Sequence, residues 1–114
     1  MQLITDLQRA EMLENGRRQA AGELTDPRPV VKLFTPDGAA TWLLSELDPD
    51  DPDVAFGLCD LGLGCPELGS VRLSELMAVR GALGLPVERD LYFRADRSLR
   101  AYAEAACASG GIGA

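Results

Sequence analysis

Eight carboxylates crowd the middle of this chain. Asp37, Glu46, Asp48, Asp50, Asp51, Asp53, Asp60 and Glu67 fall between Lys32 and Arg72, and no basic residue lies among them. Clustered carboxylates can hold a cation, share a proton in acid–base catalysis, or meet a basic surface. The run Asp48-Pro49-Asp50-Asp51-Pro52-Asp53 invites the first of these. An EF-hand loop needs an oxygen ligand at its fifth position, Gly at its sixth and a bidentate Glu at its twelfth. Counted from Asp48 those positions hold Pro52, Asp53 and Cys59, so the pattern fails. A solvated loop between strands, or a site for a basic partner, remains. Asp60, Glu67, Glu88 and Asp90 could supply a catalytic carboxylate pair. Carboxylates are rarely buried unpaired, so surface and turn roles compete with that reading. Glu88-Arg89-Asp90 with Arg94, Arg97 and Arg100 is expected to form a local ion-pair network.

Other chemistries are thinly provided. Histidine is absent, which removes the Ser-His-Asp and Cys-His triads and the usual general base near neutral pH. Cys59 and Cys65 lie six apart with only Cys107 as a third thiol. A structural zinc site wants four ligands at tight spacing, so no metal and no cofactor is expected. Three sparse thiols fit a reducing compartment better than a disulfide framework, with Cys59 behaving as a small hydrophobe. Gly62, Gly64 and Gly69 resemble a phosphate cradle only superficially, because no Lys-Ser/Thr pair follows and no helix begins before about Ser74. No catalytic residue is assigned.

The charge balance narrows the partners. With 11 basic and 18 acidic residues the chain carries −7, which argues against nucleic acid or an anionic membrane surface. Outside the eight central acids, ten acids stand against 11 bases, so the acidity belongs to the middle third. No apolar run approaches the roughly 20 residues needed to span a bilayer. The first ten residues lack the basic and apolar regions of a signal peptide, so a cytoplasmic protein is expected.

The 114 residues suffice for one domain. Thr5 with Gln8 reads as a capping box opening a helix, with Leu3, Leu7, Ala10 and Leu13 on one face and Asn15-Gly16 as its stop. Arg17–Arg28 is a polar connection. Val30–Phe34 and Ala40–Leu47 are strands joined through the turn Thr35-Pro36-Asp37-Gly38. Asp48–Asp53, with two prolines, is expected to be a loop. Val54, Phe56 and Leu58 alternate with the small Ala55, Gly57 and Cys59, a strand whose thin face invites a helix. A glycine-rich turn, a short strand at Val71 and Leu73, and a helix over 74–82 capped by Ser74 follow. A strand over Glu88–Arg94 comes next, and then a helix capped by Ser98 or Asp96. The fold class is α+β, a mostly antiparallel sheet of about five strands with helices on one face. Residues 1–108 form the single domain and 109–114 a flexible tail. Trp42, Phe56 and Leu91 are expected in one core.

Several of these segments carry a resemblance. Thr41–Pro49 (TWLLSELDP), Ala55–Gly62 (AFGLCDLG), Pro66–Gly69 (PELG), Leu73–Leu76 (LSEL) and Glu88–Phe93 (ERDLYF), with Leu3-Ile4-Thr5 and Val31–Pro36, are distinctive. Together they resemble a family of small bacterial proteins that is a domain of unknown function, met largely on plasmids, phages and integrated conjugative elements. Cys65 and Ser70 depart from the pattern, where larger apolar or aromatic residues are expected. The resemblance implies no activity and no catalytic residues, but its genomic company includes anti-restriction genes.

The expected function is therefore that of a non-enzymatic, mobile-element accessory protein with an anti-defence role. It would present the acidic hairpin and loop to a basic protein surface, such as that of a host-defence or nucleic-acid-handling protein. The alternatives are a small enzyme or ligand-binding domain using Asp60, Glu67 or Asp90, and a structural subunit of a larger complex.

Overall fold

In a computed structural model, which describes residues 2–113, five strands form one antiparallel sheet. They are β1 (Val31–Phe34), β2 (Thr41–Asp48), β3 (Asp51–Asp60), β4 (Glu67–Arg72) and β5 (Glu88–Arg89), in the spatial order β4-β3-β2-β1-β5. Three helices complete the α+β domain: α1 (Asp6–Ala20), α2 (Leu73–Ala78) and α3 (Leu99–Ser109). The helices do not share one face, as the sequence suggested. Met12 of α1 and Leu73 and Leu76 of α2 join one apolar cluster with Val31, Leu33, Trp42, Leu44, Leu47 and Ala55. Leu99, Tyr102 and Ala106 of α3 pack with Leu43 and Leu58 in a second. Successive strand residues point to opposite faces, so Leu43 lies behind the sheet from Trp42 and Leu44. The thin face of β3 does sit under a helix. Ala55 is buried in the cluster that holds Leu73 and Leu76, and Cys59 is half-buried against that cluster.

One residue sets the phase of β2. Leu44 faces Gly57 and Glu46 faces Phe56, leaving Ser45 without an opposite number. This is a β-bulge. Beyond it the alternation is inverted, so Leu47 shares the face of Leu44, while Glu46 turns to the face of Phe56 and Leu43. Ser45 is fully buried, and its hydroxyl donates to the Phe56 carbonyl at 3.4 Å. The strands approach closely here. A Cβ at Gly57 would overlap the Leu43 carbonyl oxygen, so only glycine fits.

The expected stop of the first helix is a contact instead. The capping box forms as read, with Gln8 N–H donating to Thr5 Oγ1 at 3.1 Å and Thr5 N–H to Gln8 Oε1 at 2.9 Å. The helix then runs through Gly16 to Ala20. β1 ends opposite Leu44, so the outer side of Ser45–Asp48 lacks a strand partner. α1 covers that edge, a standard remedy for an unpaired strand. Asn15 Nδ2 donates to the Ser45 carbonyl at 2.8 Å, and a Cβ at Gly16 would overlap the Leu47 carbonyl oxygen. The buried face is consequently Met12 and Gly16, and Leu7 is 80% exposed.

Other expectations shift for local reasons. Asp48 pairs with Asp51, so Pro49-Asp50 is a tight two-residue turn inside what read as a loop. Pro52 lies in a second irregularity before the pair Leu47–Ala55, where no ladder donor is needed. α2 stops at Ala78 because Val79 is extended, leaving Leu83 exposed. β5 is only two residues long. Asp90 N–H still reaches the Lys32 carbonyl, but Asp90 Oδ1 accepts from Tyr92 N–H and turns the chain out of the sheet. Leu91 therefore stands 65% exposed, whereas Trp42 is buried and Phe56 half-buried on the opposite face. Ser98, not Asp96, caps α3. Residues 109–113, read as unanchored, are tied back by Ile112 N–H donating to Asp60 Oδ2 at 2.9 Å; Ala114 lies outside the described residues.

Candidate functional site

The eight central acids divide between the two ends of the β2–β3 hairpin. Thr41 faces Asp60 at one end and Asp48 faces Asp51 at the other. At roughly 3.3 Å per strand residue, the ends stand more than 20 Å apart. Asp37, Asp60 and Glu67 occupy the first end, and Glu46, Asp48, Asp50, Asp51 and Asp53 the second.

At the first end two carboxylates hold backbone. Asp37 Oδ2 accepts from the N–H groups of Leu83 and Leu85, at 2.7 and 3.2 Å, fastening the β1–β2 turn to the segment after α2. Its buried Oδ1 has no hydrogen-bond partner among the described residues. Asp60 is buried, with Oδ1 accepting from Gly62 N–H at 2.8 Å and Oδ2 from Ile112 N–H. Glu67 is exposed opposite Cys59. Of the candidate carboxylates Asp60, Glu67, Glu88 and Asp90, Asp60 and Asp90 are taken up by other partners among the described residues. Asp90 serves Lys32 at 3.6 Å and Tyr92 N–H.

The second end is different. Arg72 on β4 reaches Asp51 at 3.0 Å and Asp53 at 3.6 Å. Asp53 also accepts from Ser74 N–H at 3.0 Å and Ser74 Oγ at 2.7 Å. It thus caps α2 from a neighbouring strand, where Ser74 itself was expected to cap. The Ser74 hydroxyl and N–H, with Arg72 adding, hold the Asp53 carboxyl below the ordinary aspartate range. Asp48 Oδ1 accepts from Asp50 N–H at 2.8 Å. Asp48 and Asp50 are exposed and make no ion pair among the described residues.

Beside this tip lies a hollow of about 320 Å³, lined by Gly16, Gln19 and Ala20 of α1, Glu46 and Asp48 of β2, Pro49, Val54 and Phe56 of β3, and Ser70 of β4. Glu46, Phe56 and Ser70 stand in one row across three strands. Burial pushes the Glu46 carboxyl up from the ordinary glutamate range, because ionisation is penalised where water is scarce. Of these lining residues, only the acids Glu46 and Asp48 are assigned to a binding surface by the sequence, which places Phe56 in the core. The Ser45 bulge inverts the phase that alternation would assign, and no local signal marks it. A charged residue inside the apolar run Trp42–Leu47 is the one hint.

A larger cleft, about 570 Å³, runs along α3 between Tyr92, Phe93, Arg94, Asp96 and Arg97 on one side and Tyr102, Ala105, Ala106, Ser109 and Ile112 on the other. Its polar groups are largely engaged with each other. Tyr102 Oη donates to Asp96 Oδ1 at 2.7 Å, and Arg97 donates to the same oxygen and lies 5.1 Å from the Tyr102 ring centre. The Tyr102 hydroxyl, with Arg97, holds the Asp96 carboxyl low, while burial pushes the Tyr102 hydroxyl up. The expected arginine–acid network reduces to Asp96–Arg97 and Asp90–Lys32; Arg89 instead donates to the Gln2 carbonyl at 2.8 Å.

Burial pushes the Cys59 thiol up, away from thiolate reactivity. Among the described residues no group of three or more His, Cys, Asp or Glu side chains could hold a metal ion, and no helix is long and apolar enough to cross a membrane.

A family model described as a protein of unknown function (DUF2958) matches residues 3–113, and the chain belongs to that family. No curated protein and no solved structure matches it.

Proposed function

We propose that this protein is a non-enzymatic accessory protein that docks the tip of its β2–β3 hairpin onto a basic protein surface. One observation carries the reading. Asp48 and Asp50 stand exposed at the turn without a cation, after Arg72 has been taken by Asp51 and Asp53. Exposed like charges draw a basic surface in from solution and speed encounter. Carboxylates also satisfy the Arg and Lys donors that otherwise bind phosphates. The partner that fits is thus a cytoplasmic nucleic-acid-handling protein, such as a host-defence nuclease met by a mobile genetic element, and the role is anti-defence. The carboxylate-enzyme alternative is weaker, because Asp60 and Asp90 are already bonded.

The test starts with a partner captured from the native host and measured by surface plasmon resonance. Association slows as salt rises, since exposed charges reach only about 8 Å at physiological ionic strength. The pair Asp48→Asn and Asp50→Asn slows association more than it speeds dissociation and leaves Tm unchanged. Equal on-rates for the two proteins at low salt would overturn the reading.

A second reading, a structural subunit, has one observation in its favour. Leu61 and Leu63 on the β3–β4 turn and Leu83 after α2 are 61%, 80% and 81% exposed. Exposed apolar patches mark protein contacts. Leu63→Ser with Leu83→Ser would then abolish assembly seen by light scattering and leave the tip's association rate unchanged.

A further inference from the structure

The hollow beside the tip has largely apolar walls and two carboxylates: Asp48 at the turn, which accepts from Asp50 N–H, and Glu46, which has no partner among the described residues. Val54, Phe56, Pro49 and Ala20 line it. Glu46 is half-buried there and makes no hydrogen bond or ion pair among the described residues. No Lys or Arg lines the hollow, and Arg72, the nearest cation along β4, is held by Asp51 and Asp53. A bare metal ion is a poor occupant, because it would want several oxygen ligands and these walls are largely apolar. An apolar ligand would fill the walls and strand the Glu46 carboxylate. What satisfies both is a cation on an apolar stem. A guanidinium does so best, since its plane can stack on the Phe56 ring while its fork meets a carboxylate.

We propose that this hollow receives an arginine side chain of the basic partner, with the stem against Val54 and Phe56 and the guanidinium on Glu46. The inference rests on the docking reading above and adds the anchor to it. Asp48 and Asp50 speed the approach, and Glu46 holds one residue in place. Interfaces commonly concentrate their binding energy in such pocketed arginines.

The probe is a capped pentapeptide, Gly-Gly-Arg-Gly-Gly, titrated into the full chain labelled with nitrogen-15 at low ionic strength. Amide shifts concentrate at Ala20, Glu46, Phe56 and Ser70. Glu46→Gln weakens binding about tenfold or more, the worth of a charge-assisted bond. Ser70→Leu, which fills the end of the row, abolishes binding without touching any charge. A norleucine peptide causes no shift, and a lysine peptide binds more weakly than the arginine one. Shifts confined to Asp48–Asp51, no shift at about 20 mM peptide, wild-type affinity in Glu46→Gln or Ser70→Leu, or a lysine peptide that binds as tightly would each overturn the proposal. The two readings also fail separately. Tip-confined shifts remove the anchor and leave the docking surface. Unchanged on-rates in the Asp48→Asn and Asp50→Asn pair remove the docking surface, yet the hollow would still take the peptide.

Discussion

The two faces of the sheet are built to different standards of closure. On one, α1, α2 and the residues before α1 seal a cluster that includes Met12, Leu33, Leu44 and Leu47, all fully buried. On the other, a single helix of 11 residues covers Leu43 and Leu58, a cleft runs along that helix, and a separate hollow opens beside the hairpin tip. Stability is invested in the first face, and shape available to a ligand or partner lies on the second. Rigid packing on one side leaves the other side free to be incomplete.

Leu33→Ala should show the largest effect. Leu33 is fully enclosed on the sealed face, so a loss of about 2–5 kcal/mol is expected in chemical denaturation. Phe56→Ala removes a larger side chain but from the rim of an open hollow, so the loss should be about 1–2 kcal/mol. Equal costs for the two would break the contrast between faces. Asp53→Asn should lower Tm measurably, because Asp53 caps α2, whereas Asp50→Asn should not move it.

The smallest effects are in pH dependence, and they carry opposite signs. The folded Asp53 carboxyl titrates below its unfolded value, so its contribution is present above the ordinary aspartate range and is lost as pH falls through the lowered value. The folded Glu46 carboxyl titrates above its unfolded value, so it favours folding at low pH, and that advantage is lost as pH rises through the raised value. Relative to the native chain, Glu46→Gln should therefore raise Tm at neutral pH and lose this gain near pH 4, while Asp53→Asn should lower Tm at neutral pH and converge with it in acid. Scanning calorimetry across this range checks both slopes.

Much of the frame was legible in the sequence because local chemistry decided it. The order of elements, the Thr5–Gln8 box, the Thr35–Gly38 turn and the burial of Trp42 all follow from neighbours a few residues apart. What escaped depends on partners distant in sequence. Gly16 reads as a helix stop until Leu47, 31 positions on, is seen to need its missing side chain. Asp53 reads as a solvated loop acid until Ser74 is found beside it. Leu91 reads as core because Glu88–Phe93 alternates, yet the turn at Asp90 carries it outward. The hollow was invisible for the same reason, since its lining comes from four elements and from a change of phase at Ser45.

That change of phase has a consequence for how such a chain can evolve. Leu44 and Glu46 already face adjacent residues of β3, with Ser45 as the surplus between them. Losing Ser45 would flatten the bulge and leave Leu47 turned inward and Glu46 turned to the side of Phe56. What would go with it is the hydroxyl that donates to the Phe56 carbonyl. A regular strand has no such spare residue, and there a single-codon deletion turns every later side chain to the other face. Descendants of this sequence can shorten β2 at this one point without exchanging its two sides.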